Sequence, residues 1–151
     1  IRVISQNDEG IYDAMNQACS YASGDYYLFL NTGDSFSDEC VLEKITNGIY
    51  KKQKEQGVYP DIVYGNMYHK ALDNVIHAAP QVNDFTCYRN VPCHQACIYD
   101  YRLFEKRAYD LKYKVRADYE HFLYSIYQHL LKLLLILRYM LYIPNMMLIV
   151  L

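Results

Sequence analysis

The chain contains no tryptophan, no excess of positive charge and no CxxC pair. It also lacks an uninterrupted apolar run of about 20 residues, the length a membrane-spanning helix needs. Each absence excludes something. Fifteen Lys and Arg stand against 17 Asp and Glu, a formal net charge of −2. A nucleic-acid partner, which calls for a basic face, is therefore not expected. Five cysteines cannot form a complete disulfide framework. They fit a reducing cytosol, with Cys19 and Cys40 read as small core hydrophobes. The apolar tail from Leu130 to Leu151 is broken by Lys132, Arg138 and Pro144-Asn145. Charges near the middle of a span are costly. The tail therefore reads as core, a helix to roughly Met140 and then a strand from Met146 to Leu151. Peripheral contact with the inner face of a membrane is the other reading. No signal peptide is visible, and the chain opens on Ile1-Arg2-Val3-Ile4, which already reads as a strand. The expectation is a fragment of a longer protein, with residues 1–129 forming part of an α/β domain and residues 130–151 closing it.

What is present is an ordinary globular composition, 52% apolar and 21% charged, with 18 tyrosines. Tyrosine suits half-wet pockets, because its ring packs while its hydroxyl keeps a partner. An AT-rich coding sequence would produce the same excess. Apolar residues at Ile11, Ala14, Met15, Ala18, Cys19 and Ala22 have helical spacing, and Gly24 is a natural stop. Tyr26 to Leu30 and Asp61 to Gly65 are continuous apolar runs of the kind that strands buried on both faces show. A helix follows the first run, with Val41, Leu42, Ile45, Ile49 and Tyr50 on its apolar face and Ser37 or Asp38 as its cap. Asn66 to Ala79 reads as a strand pair turning at Asp73-Asn74. Val82 to Arg89 reads as irregular, Ala96 to Tyr99 as a strand, and Tyr101 to Arg107 as a helical turn. Ala117 to His129 reads as a helix with Asp118 and Glu120 in its first turn. Strands alternating with helices predict an α/β domain with a mostly parallel sheet.

Four groups of residues could carry chemistry. Asn31-Thr32-Gly33-Asp34 follows a buried strand, where sheet-end ligands bind. A divalent cation that also holds a diphosphate needs only one or two carboxylates, so Asp34 could hold one. Equally, Asp34 could cap the next helix. The helix start at Gly10, Ile11 and Tyr12 could receive an anion, and Asp8 could accept hydrogen bonds from a ribose or base or could be an N-cap. Asn16 within that helix is either a ligand contact or a solvated side chain. Asp118, with Glu120 close by, could accept a proton from a hydroxyl or could cap its helix. The last group is Cys87, Cys93, His94, Gln95 and Cys97. Its spacing is poor for zinc, and His94 with Gln95 can instead face a pocket while the cysteines pack. The other histidines, His69, His77, His121 and His129, read as surface residues.

Taken in order, these segments resemble the family 2 glycosyltransferases of the GT-A fold. The likeness rests on Asp8-x-Gly10-Ile11-Tyr12-Asp13-Ala14-Met15-Asn16, Ala22-x-Gly24-Asp25-Tyr26, Phe29-Leu30-Asn31-Thr32-Gly33-Asp34, Ile62-Val63-Tyr64-Gly65, His94-Gln95 and Ala117-Asp118-Tyr119-Glu120. It implies a Rossmann-like sheet flanked by helices, incomplete at its N-terminus. It implies inverting transfer of a sugar from a nucleotide-diphosphate donor to a saccharide or lipid-linked acceptor, in bacterial surface polysaccharide synthesis. Asp118 would be the catalytic base, and Asp34 would hold Mg²⁺ or Mn²⁺. Asp8, Gly10, Tyr12, Asn16 and Asn31 would line the donor side, with His94, Gln95 and Glu120 on the acceptor and diphosphate side. The family's base-recognising first strands have no counterpart here, so this chain alone is expected to be weak or inactive. A non-catalytic α/β binding or scaffold domain is the alternative.

Overall fold

The computed structural model describes residues 3–128, 133–143 and 149–150. In chain order it shows α1 (Ile11–Cys19), β1 (Tyr26–Leu30), β2 (Ser35–Phe36), α2 (Val41–Gln56), β3 (Ile62–His69), β4 (Asn74–Ile76), α3 (Asp84–Arg89), β5 (Cys97–Asp100), α4 (Tyr101–Lys106), α5 (Ala117–Gln128), β6 (Leu133–Ile143) and β7 (Ile149–Val150). One-turn 3-10 segments cover Lys70–Leu72 and His94–Ala96.

The continuous apolar runs do form strands covered on both faces. Successive side chains of a strand point to opposite faces. Tyr27 and Phe29 of β1, Ile62 and Tyr64 of β3, and Cys97 and Tyr99 of β5 join one core, packed with Met15, Leu103, Phe104, Ala117 and Phe122. Leu28, Leu30, Val63 and Ile98 face the opposite way, onto Val41, Ile45 and Ile49 of α2. Gly57 ends α2 in the left-handed region, at φ 70°, a conformation glycine adopts without strain.

The sheet runs in the order β2-β6-β3-β5-β1-β7, with β4 also on β3. The expectation of a mostly parallel sheet is overturned. Among the described residues only β3 and β6 pair in parallel. The pairs β1–β5, β1–β7, β2–β6, β3–β4 and β3–β5 are antiparallel. Because β1 and β3 are each antiparallel to β5, they run in the same direction with β5 inserted between them. A buried apolar run reports two covered faces and carries no information about direction, which is why the pattern misled.

The registers also create a gap. With β6 along one edge of β3, both β5 and β4 must use the other. β5 takes residues 62–64 and β4 takes residues 67–69. Gly65 and Asn66 fall between them, where the β3–β6 register shifts as well. The Asn66 side chain accepts from the Ala78 backbone N–H at 2.9 Å, tying the chain after β4 across this gap.

Other readings are corrected. The tail expected as helix to roughly Met140 is strand over Leu133–Ile143. The expected final strand is described only at Ile149–Val150, which pairs with Phe29 and Leu30. Val3 and Ile4 form no strand, and Ile1 and Arg2 lie outside the described residues, as does His129. The segment read as irregular contains α3, capped by Asn83, whose side chain accepts from the Thr86 N–H at 3.0 Å. Cys40 is exposed at the start of α2, so it is not a core residue. All five cysteines are free.

His121, read as a surface residue, is buried. It stacks on Phe104, centroids 4.6 Å apart, and packs edge-on against Tyr99 and Tyr109. A carbonyl can only accept, so the contact of Nε2 with the Arg107 carbonyl at 2.9 Å puts the proton on Nε2. Burial pulls its pKa down to about 4, against a partial rise from the Arg107 carbonyl. The imidazole is therefore neutral in the fold, whereas the unfolded chain protonates it near the ordinary value of about 6.5. Stability from this site is complete above that value and is lost as pH falls towards 4. The full loss is on the order of 3 kcal/mol. Urea unfolding at pH 7 and pH 4.5 should show it, and His121→Gln should flatten the dependence over that interval.

Candidate functional site

Three segments distant in sequence meet on one carboxylate. The Tyr12 hydroxyl, from the first turn of α1, donates to Asp118 Oδ1 at 2.7 Å. His94, opening the 3-10 turn before β5, places Nδ1 3.0 Å from Asp118 Oδ2. A carboxylate can only accept, so Nδ1 carries a proton. Asp118 itself lies in the first turn of α5, where the helix dipole favours a negative charge. Burial pushes its carboxyl up. The hydrogen bonds from His94 and Tyr12, the charge of His94 and the Tyr119 N–H outweigh that and hold it at about 2. Asp118 is thus ionised at any physiological pH.

Asp34 lies close to this group. The turn after β1 closes on itself, with the Asp34 N–H donating to the Asn31 carbonyl at 3.0 Å and the Asn31 N–H to Asp34 Oδ2 at 3.2 Å. Gly33 makes the turn possible at φ 88°, where a side chain would be strained. Asp34 therefore stabilises its own turn. α2 begins seven residues later after Cys40 with no side chain capping it, so the expected cap at Ser37 or Asp38 does not form; Asp38 instead accepts from the Cys40 N–H at 2.8 Å. Burial raises the Asp34 pKa, opposed by the Asn31 N–H, the His94 charge and the Gln95 side chain. Gln95 also bonds the Cys93 thiol. Two buried polar atoms here have no partner among the described residues, Asn31 Oδ1 and His94 Nε2.

The structure brings Tyr12, Asn31, Asp34, His94, Gln95 and Asp118 together. Four other candidates take different places. Asn16 is used structurally: its Nδ2 donates to the Tyr109 carbonyl and its Oδ1 accepts from the Tyr109 N–H, both at 2.9 Å. Glu120 pairs with Arg107 at 2.8 Å, which also lies over the Tyr124 ring. Asp8 accepts from the Gly10 N–H at 2.9 Å within the exposed loop before α1, so it braces the turn and does not cap the helix. Gly10, at φ 125°, is the residue preceding the helix. Gly10 and Tyr12 also border a small 30 Å³ pocket against Leu111 and Tyr113. Among the described residues no three His, Cys, Asp or Glu side chains gather around a metal position, so Cys87, Cys93, His94 and Cys97 do not form a zinc cluster.

Sequence reasoning missed the cavity that Asp118 borders. It has a volume of about 640 Å³ and lies at the gap between β4 and β5, with Gly65, Met67, Cys93 and Tyr119 among its walls. Arg116 stands at its edge in the left-handed region, φ 66°, unusual for a residue with a side chain. No pattern in the sequence marks that conformation.

The fold is thus α/β with a mixed sheet, and the ionised Asp118 borders a cavity beside it. No family model and no solved structure matches the chain. It is 32% identical over 114 residues to a "PGL/p-HBAD biosynthesis glycosyltransferase" of Mycobacterium bovis (strain BCG / Pasteur 1173P2), covering 75% of this chain and 42% of that protein. It is likewise 32% identical over 121 residues to an uncharacterized glycosyltransferase of Mycobacterium tuberculosis (strain CDC 1551 / Oshkosh), covering 79% of this chain and 45% of that protein. The chain thus spans less than half the length of these curated relatives. Their shared name supports a glycosyltransferase. No helix among the described residues is long and apolar enough to cross a membrane.

Two outcomes follow from this geometry. Tyr12→Phe should move the Asp118 pKa from about 2 towards the ordinary aspartate value of about 3.9, read by carbon NMR of the carboxyl. Asn16→Ala should lower the free energy of unfolding by about 2 kcal/mol, since two half-buried backbone groups lose their partners. An unchanged melting temperature would overturn this structural role for Asn16.

Proposed function

We propose that this chain carries the sugar-transfer corner of an inverting family 2 glycosyltransferase of the GT-A type. The donor would be a nucleotide-diphosphate sugar and the acceptor a saccharide or lipid-linked hydroxyl in surface polysaccharide synthesis. The observation that supports this best is the Asp118 carboxylate, held between Tyr12 and His94 and bordering a cavity large enough for a substrate. The names of the relatives point the same way. Free cysteines throughout fit a reducing, cytoplasmic setting.

In such a reaction the acceptor oxygen bonds to the anomeric carbon as the bond to the diphosphate breaks, and the acceptor proton passes to Asp118 Oδ. A carboxyl held at about 2 is a weak base towards a resting hydroxyl. Transfer becomes favourable only late, when the forming bond has made that hydroxyl acidic. Tyr12 and His94 act as positioning residues, aiming the carboxylate and keeping it ionised. Gln95 and the turn hydrogen bonds hold Asp34 beside His94.

The residues fit Mg²⁺ or Mn²⁺. Asp34 supplies a hard carboxylate oxygen, and Asn31 Oδ1, without a partner among the described residues, is a second oxygen in the same turn. When bound, such an ion neutralises the departing diphosphate. His94 Nε2, buried and without a partner among the described residues, is available to a donor oxygen on the same side.

Asp118→Asn in the full-length protein should lower transfer by at least about 10²-fold while leaving donor affinity, measured by calorimetry, nearly intact. Unchanged turnover would overturn the assignment of the base. Metal-dependent hydrolysis of a panel of nucleotide sugars separates an enzyme from a binding domain.

A further inference from the structure

One wall of the cavity beside Asp118 is a short helix held almost entirely by polar contacts. α3 contributes Phe85, Thr86 and Arg89 to that wall. Its apolar anchorage is slight. Cys87 is its one buried side chain, while Phe85 and Tyr88 are 67% and 84% exposed. A hydrogen-bonded seam joins it to α5 instead. Asp84 Oδ1 accepts from the Tyr127 hydroxyl at 2.9 Å, the Cys87 carbonyl from the Tyr119 hydroxyl, and Asn90 Oδ1 from the Arg116 guanidinium at 3.1 Å. The three acceptors are three residues apart, the spacing of one helix face. All three donors come from α5 or from the residue just before it. Arg116 also lies over the Tyr119 ring, 4.7 Å from its centroid, so two of the rungs brace each other. Arg116 sits at φ 66°, where glycine would be free of strain. The position thus keeps a strained backbone together with a side chain that latches α3.

The segment carrying α3 is bonded within itself and fixed at both ends. Asn83 caps the helix, and Thr86 Oγ1 donates to the Gln81 carbonyl at 2.9 Å. Before the segment, the Ala78 N–H is held by Asn66 Oδ1. After it, Val91 is buried in the core, and Val82 is half-buried against the same core. Residues 79–90 therefore form one unit between two anchors. The hydrogen bonds of a half-wet seam are exchanged for bonds to water at small net cost. A unit with few buried apolar contacts opens far more readily than the whole domain unfolds.

We propose that residues 79–90 are a hinged cover on the cavity, latched to α5 by the three rungs at Asp84, Cys87 and Asn90, and that its opening controls access to Asp118. As a gate to the acceptor side it rests on the reading of Asp118 given above. The motion itself is measured without any substrate.

The protein's own thiols report that motion. Cys87 lies on the covered side of α3, Cys93 is in the cavity wall, and Cys97 of β5 is 0% exposed. The test is iodoacetamide labelling of the intact protein without denaturant, followed by peptide mapping. Each rate is normalised to that of the same cysteine in the urea-unfolded chain. Cys87 should be labelled at least about a hundredfold faster than Cys97, which waits for global unfolding. Tyr119→Phe and Tyr127→Phe should each speed Cys87 about fivefold, and Cys93 with it, leaving Cys97 unchanged. Arg116→Gly should do the same while urea unfolding becomes no easier, because it removes a rung and relieves the left-handed backbone together. Tyr50→Phe, at an exposed tyrosine of α2, should change nothing. Equal normalised rates for Cys87 and Cys97 overturn the proposal. So does a Cys87 rate indifferent to loss of the rungs, or faster Cys87 labelling with Cys93 unchanged. The two readings fail separately. A cover that opens in this way on a full-length protein without sugar transfer defeats only the enzyme. Sugar transfer by a protein whose Cys87 is as protected as Cys97 defeats only the cover.

Discussion

The carboxylate of Asp118 accepts from α1 through Tyr12 and from the turn before β5 through His94, and it does so from the first turn of α5. Three segments separated by dozens of residues are thereby held at one point. A buried, ionised carboxylate is costly unless it is hydrogen-bonded or paired with opposite charge. Here two donors and the helix start meet that requirement, and the result is a group held at about 2 in spite of its burial. The surrounding structure is arranged to keep these donors in place. Asn16 ties α1 to the Tyr109 loop, and Tyr109 in turn packs against Tyr12, centroids 5.3 Å apart. Phe29, Phe104, Tyr109 and His121 form a continuous aromatic core beneath that loop.

The same constraint explains why β5 matters. Because it runs antiparallel between β1 and β3, its beginning lies at the end of the sheet where β1 finishes. His94 and Gln95 enter β5, and Asn31 to Asp34 leave β1, so the two polar segments become neighbours. A parallel β5 would have carried His94 and Gln95 to the opposite end of the sheet. The gap at Gly65 and Asn66 arises from the same sharing of one strand edge, and it opens the cavity next to Asp118.

Much of this was legible in the residues. Helical spacing marked α1, α2 and α5, apolar runs marked β1 and β3, and the acidic and polar motifs marked most of the residues that converge. Other features were misread for identifiable reasons. Cys40 falls next to an apolar stripe, yet it is the exposed residue preceding α2. His121 lies four residues from both Ala117 and Ser125, a buried spacing that would have identified it as core. Asn83 before Asp84 carried the cap signal for α3. The tail read as a helix because apolar density is common to helices and strands.

The sequence by itself determined which stretches are buried, where most helices lie and which side chains could carry charge into a pocket, because these follow from local periodicity and residue chemistry. Strand direction, the pairing of β6 with β3, the aiming of Tyr12 and His94 at one carboxylate, and the diversion of Asn16 and Glu120 to structural partners were decided only in three dimensions. Each depends on contacts between residues far apart in the chain, and no local pattern records which distant partner a polar atom will find.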